Sequence, residues 1–174
     1  MKDNCIVLTG MPGVGKSTIG KILASALELE FIDLDLYIEY TEARKISEML
    51  EEHGEEWVLK LESEKMRQID LNNAVVSPGG SIVYDEQLMA QILRNATVIY
   101  LEDSLENIRL RMGNPNKRNI IWQGAKSLPE LYGRRRLLYE NFFDIKIQCQ
   151  NKDESDIAKE AIKKFNEKCK LTVK

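Results

Sequence analysis

The sequence predicts an α/β fold, with a parallel sheet covered by helices on both faces. Short apolar runs alternate with helical stretches along most of the 174 residues. A glycine-rich loop, Gly10-Met11-Pro12-Gly13-Val14-Gly15-Lys16-Ser17, lies between the first apolar run and the first amphipathic one. The chain is 43% hydrophobic, which at this length is enough for one domain with a sizeable core.

Taken in order, Cys5-Ile6-Val7-Leu8 is the first strand. Ile19, Ile22, Leu23, Ala26 and Leu27 then recur at helical spacing. Glu30 to Asp33 is a second strand, running straight into Leu34-Asp35-Leu36. A charged helical pattern follows as far as Asn72. It divides near Thr41–Arg44 and at His53-Gly54 into three helices, with Gly54 as a helix-ending glycine. Ala74 to Ser77 is a third strand, closed by Pro78-Gly79-Gly80. Helix 85–94, strand Thr97–Leu101 and helix 104–112 come next. Residues 113–126 have little periodicity, and a connection of that length is expected to be functional or disordered. A helix through Glu130 to Tyr139, a strand Phe143–Ile147 and a charged helix from about Asp153 complete the pattern.

The loop carries the chemistry. It fits G-x-x-x-x-G-K-[ST] in the required setting of strand, loop and helix. Glycines let backbone N–H groups converge on one point, and the helix beginning near Lys16 adds its positive end there. Lys16 offers a point charge for the outer phosphates, and the Ser17 hydroxyl is a magnesium ligand. A nucleoside triphosphate is the expected ligand. Asp33 and Asp35 stand at the carboxyl end of the second strand, the edge where open α/β sheets bind ligands. Carboxylates there suit metal positioning and hydroxyl orientation. Asp35 also reads as a helix N-cap before Leu36.

Composition narrows the partners. A net charge of −3 argues against a general nucleic-acid binder. Three scattered cysteines, Cys5, Cys149 and Cys169, imply neither a disulfide framework nor a metal site. The lone histidine, His53, reads as a surface residue at a helix end. The first strand starts too near Met1 for a signal peptide, and no apolar run is long enough to span a bilayer. The expectation is a cytoplasmic, monomeric protein that acts on a small molecule, with no nucleic acid or membrane partner.

The chain resembles the shikimate kinase family over nearly all of its length. The pieces that carry the resemblance are GMPGVGKST, FIDLDLYIE, ISEMLEEHGEE, SPGGS, NKRNII and RRLLY. It implies a doubly wound five-stranded sheet in the order 2-3-1-4-5, a single domain over 1–174, a substrate-binding segment at about 34–70 and a lid at about 113–126. It implies ATP and Mg²⁺ as cofactors, with Gly13, Val14, Gly15, Lys16, Ser17, Thr18 and Arg111 on the nucleotide and Ser17 and Asp33 on the metal. Lys16, Asp35 and Arg118 would be catalytic: Asp35 would receive the proton of the attacking hydroxyl, and Arg118 would close over the phosphates. Gly79, Gly80 and Ser81 would approach the acceptor, whose carboxylate Arg135 would hold. Among Arg134, Arg135 and Arg136, helical geometry lets at most one or two face the site.

The departures from the family lie on the acceptor side. Leu59 stands where the family has an arginine that clamps the shikimate carboxylate. Val58 and Leu50 replace pocket aromatics, and Ser81 replaces the third glycine of Gly-Gly-Gly. Asn119 and Leu137 replace prolines. A hydrogen bond to a charged group contributes about 1.5–3 kcal/mol, so losing the clamp would weaken binding roughly ten- to a hundredfold. Lys60 could compensate only by bending round the helix. Three readings follow: a shikimate kinase, a kinase of another small alcohol or sugar acid such as gluconate, or a catalytically weak nucleotide-binding regulator. A nucleoside monophosphate kinase ranks lower, because residues 36–70 are predominantly acidic.

Overall fold

The computed structural model describes residues 4–113 and 119–172, with side chains up to residue 170. Its sheet contains β1 (Cys5–Thr9), β2 (Glu30–Asp33), β3 (Ala74–Ser77), β4 (Thr97–Glu102) and β5 (Ile145–Gln148). The order is β2-β3-β1-β4-β5 and every pair is parallel, as expected. Alternation along the strands builds two cores. Cys5, Val7, Val76, Val98 and Tyr100 face one layer, and Ile6, Leu8, Val75, Ile99 and Leu101 face the other. Because both faces are covered, the central strands read as unbroken apolar runs.

Helices α1 (Lys16–Leu27) and α8 (Glu154–Thr172) cover the second layer through Ile19, Leu23, Ile157, Ala161 and Phe165. Gly20 lets α1 press onto β2: a Cβ there would lie 2.5 Å from the Phe31 ring. The first layer is covered by α2 (Leu34–Glu42), α3 (Ile46–His53), α4 (Glu55–Gln68), α5 (Glu86–Asn95) and α7 (Leu128–Tyr139). Helix α6 (Leu105–Met112) adds Ile108 and Met112 to that layer.

The three-helix division of 34–68 is as expected, with Gly54 at φ 80° between α3 and α4. His53 ends α3 and stacks on Trp57, ring centres 4.3 Å apart. Two starts in the C-terminal part of the chain differ from expectation by two residues. Strand β5 begins at Ile145 rather than Phe143, whose ring instead packs against Tyr100. Helix α7 begins at Leu128, because the Ser127 hydroxyl accepts from the Glu130 N–H and so caps it. A single 3₁₀ turn, Ile82–Tyr84, follows Gly79-Gly80 and is too short to leave a periodic signal. Among the described residues, no helix is long and apolar enough to cross a membrane.

Candidate active site

The site grows from the carboxyl end of β1. Gly10, Gly13 and Gly15 have φ of 140°, 84° and 106°. A Cβ at Gly10 would meet the Leu101 carbonyl oxygen at 2.5 Å, so both strain and clash exclude larger residues. Gly15 is the N-cap of α1 but has no side chain to cap it, and the first turn holds no acid. The N–H groups and positive end of the helix are thus left for an anion. Lys16 is buried and its Nζ donates to the carbonyls of Gly10 (2.9 Å) and Met11 (3.2 Å), bracing the loop. Gly13, Ser17 and Thr18 line the same cavity. The Val14 side chain points into the core, while its carbonyl accepts from Arg111 Nη1 at 3.3 Å. Arg111 also pairs with Asp103 at 2.9 Å, which fixes it at the cavity wall.

Strand β2 delivers the acidic pair. Asp33 Oδ2 accepts from the Ser17 hydroxyl at 2.8 Å, and its Oδ1 accepts from the backbone N–H of Asp35 and Leu36. Asp33 is therefore the N-cap of α2. This corrects the expectation that Asp35 fills that role: the chain turns helical at Leu34, two residues earlier than an N-cap at Asp35 would place it. Asp35 lies in the first turn of α2 and is free to line the cavity. Crowding by protein atoms, then the nearby Asp33 charge, push its carboxyl up to about 6, against an opposing pull from Lys16. The side chain still reaches solvent through the open cavity, which moderates the effect. Among the described residues, no cluster of three or more His, Cys, Asp or Glu forms a metal site. The Ser17–Asp33 pair suits Mg²⁺, which is usually held by one or two protein oxygens plus phosphate and water.

The other end of the cavity is built from β3, α4 and α7. Gly79 and Gly80 follow β3 and line a cavity of about 620 Å³ that also contains Lys16, Asp35 and Arg135. A Cβ on Gly79 would lie 3.1 Å from Glu62 Oε1 and 3.4 Å from Asp35 Oδ1, so two carboxylates flank its open face. A Cβ on Gly80 would meet Arg135 Nη1 and Pro12 Cδ at 2.9 Å. The Gly80 carbonyl accepts from the Tyr139 hydroxyl at 2.7 Å. Arg135 is only 1% exposed. Its Nη2 donates to the Ile121 carbonyl at 2.6 Å, and its guanidinium lies over the Tyr84 ring, 5.3 Å from the centroid. Among the described residues, no carboxylate lies within 4.0 Å of it. Arg134 and Arg136 turn away, to Glu130 and Glu102 respectively, so one arginine of the three enters the cavity.

Glu62 is a cavity residue that the sequence reading passed over. It is 4% exposed, and its Oε2 accepts from the Ser81 hydroxyl at 2.5 Å. Burial, with a contribution from Asp35, pushes its carboxyl up to about 7, although Ser81, Arg135 and Lys16 pull the other way. A signal was present: Glu62 interrupts the Val58–Met66 apolar face of α4 at i+4 spacing. Glu55 was also passed over. It opens α4, and its two oxygens accept the N–H groups of Trp122 and Gln123, each at 2.7 Å.

Leu59 does not line the cavity. The rotation of α4 that turns Val58 and Glu62 inward leaves Leu59 half-buried in an adjoining groove, where Lys60, Tyr84 and Ser81 also lie. Lys60 is exposed there, Val58 is buried, and Leu50 packs against the core. Arg118 lies outside the described residues.

The arrangement joins an anion-binding helix end, a hydroxyl–carboxylate pair for a cation, and an acid facing the polar Gly79 end of the same cavity. Comparison with known proteins agrees with it. The shikimate kinase family model matches residues 12–166. The shikimate kinase of Persephonella marina is 35% identical over 158 residues, spanning 90% of this chain and 96% of that protein. The shikimate kinase structure from Aquifex aeolicus superposes with a TM-score of 0.79 at 26% identity, covering 90% of this chain and 93% of that one. A shikimate kinase from Acinetobacter baumannii, solved in complex with shikimate, superposes with a TM-score of 0.85 at 23% identity, covering 94% and 93%. With the loop, the acidic pair and the five-stranded order all in place, the chain belongs to the shikimate kinase family.

Proposed function

We propose that the protein transfers the γ-phosphoryl group of ATP to a hydroxyl of shikimate, giving shikimate 3-phosphate. The observation that carries this reading is Arg135, a buried cation in the same cavity as Lys16 and Asp35. A buried charge with no carboxylate in direct contact is costly, and an acceptor that bears one would supply that contact. Asp35, across the face of Gly79, orients the acceptor hydroxyl and takes its proton as the oxygen attacks the terminal phosphorus. Lys16 exchanges the loop carbonyls for phosphate oxygens. Mg²⁺, held by Ser17 and Asp33, would supply charge neutralisation on the phosphates. Arg118 is assigned to the transferred group, and Arg111 to the wall beside the base. Catalysis on this reading is positioning and charge stabilisation. Segments 34–70 and 119–126 would cover the acceptor and keep water from competing for the phosphoryl group.

A second acceptor, another small alcohol or sugar acid, is favoured by one observation: Leu59 leaves Arg135 as the cation facing the Gly79 pocket from the acceptor side. A purely regulatory role is disfavoured, since Lys16, Ser17, Asp33 and Asp35 all keep the placement that transfer needs. The test is ADP release with shikimate, gluconate, nucleoside monophosphates and simple alcohols. Turnover with shikimate well above the rest is expected. Greater turnover with gluconate, or none with shikimate, would overturn the assignment.

A further inference from the structure

Ser81 stands where the family has glycine, and its hydroxyl points at Glu62. The two oxygens are 2.5 Å apart, a short hydrogen bond that the hydroxyl donates to the carboxylate. Both groups are 4% exposed, so water cannot easily replace either partner. The other Glu62 oxygen lies beside the open face of Gly79, opposite Asp35. Helix α4 offers no donor of its own at i−3, where Leu59 stands.

We propose that Ser81 is a positioning residue for Glu62: its hydroxyl holds the carboxylate charged and turned towards the acceptor face of Gly79. The groups facing Glu62 are Lys16 from α1, Asp35 from α2, and Arg135 and Tyr139 from α7. Lys16 and Arg135 favour its charge, whereas Asp35 and burial oppose it. The Ser81 hydrogen bond is the largest of the influences that favour its charge. The effect on turnover rests on the kinase reading above, but the effect on Glu62 does not.

The test uses the full chain as wild type, Ser81→Ala and Ser81→Gly. The Glu62 carboxyl is followed by infrared or carbon NMR titration, its signal identified by loss in Glu62→Gln. The midpoint is expected to rise by about one to two pH units in both variants. At pH 7 the KM for shikimate should rise roughly tenfold, with recovery at higher pH and an ATP KM within about twofold of wild type. An unchanged midpoint overturns the proposal, as does a KM defect equal at every pH. If the wild type does not turn over shikimate, the acceptor assignment falls, and the titration still decides the role of Ser81.

Discussion

Replacing Glu62 by Gln should stabilise the protein at alkaline pH and leave it unchanged at acid pH. The side chain is buried, and its carboxyl is raised from 4.5 to about 7. A raised value means that the folded state binds the proton more tightly than the unfolded state does. The associated stability is therefore complete below about pH 4.5 and is lost as pH rises through 7. At roughly 1.4 kcal/mol per pH unit, the loss is about 3 kcal/mol. Glutamine has the same shape, keeps an oxygen for the Ser81 hydroxyl and does not titrate. The variant should equal wild type near pH 4 and exceed it by up to about 3 kcal/mol at pH 8. For a chain of this size that is a Tm difference of roughly 6–12 °C. Asp35 titrates in both proteins, so its own contribution largely cancels in the difference. Thermal or urea melts from pH 4 to pH 8 measure the effect. An offset that is the same at every pH, or a variant less stable than wild type at pH 8, would refute the reasoning.

Three further outcomes follow from the geometry. Asp35→Asn should lower turnover by about 10²–10⁴-fold while nucleotide affinity, measured by titration calorimetry, stays within about twofold; undiminished turnover would remove Asp35 from the mechanism. Glu55→Ala deprives the N–H groups of Trp122 and Gln123 of their acceptors, so their hydrogen exchange should accelerate roughly ten- to a hundredfold. Unchanged protection would mean that the contact does not hold this segment in solution. Leu59→Arg places a cation in the groove shared with Ser81, and the KM for shikimate should fall several-fold, up to about tenfold. No gain would favour a different acceptor.

The sheet and the phosphate loop were legible because each leaves a periodic or fixed-spacing trace. The central strands are unbroken apolar runs, and the loop glycines are required by φ values that other residues rarely adopt. Asp33 and Asp35 were legible as a pair, since both fall where β2 meets a helix. Which of them caps that helix was not, because the choice turns on a two-residue difference in where α2 begins. Arg135 could not be singled out from Arg134 and Arg136 by pattern alone. Only packing shows that Tyr84 and the Ile121 carbonyl enclose it while its neighbours find carboxylates outside. Glu62 and Glu55 were hidden for the same reason. Charge is common in residues 34–70, and what distinguishes these two is their partners, the Ser81 hydroxyl and two backbone N–H groups far along the chain.

Those partners also set the electrostatics of the cavity around Gly79. Two carboxylates, Asp35 and Glu62, flank Gly79, and both are pushed towards the neutral form. The opposing influences are Lys16, Arg135 and one neutral hydroxyl. A triphosphate engaging Lys16 would draw its charge away from the pair, while an acceptor carboxylate would do the same to Arg135. Both arrivals favour protonation of the pair, yet on the proposed mechanism Asp35 has to be ionised to accept a proton. Ser81 is the one donor in this set that is not an obvious ligand for an arriving anion. A neutral donor keeps its hold on Glu62 whichever substrate binds first, which a shared cation cannot do. On this argument a change at Ser81 should be felt most in the ternary complex, near neutral pH.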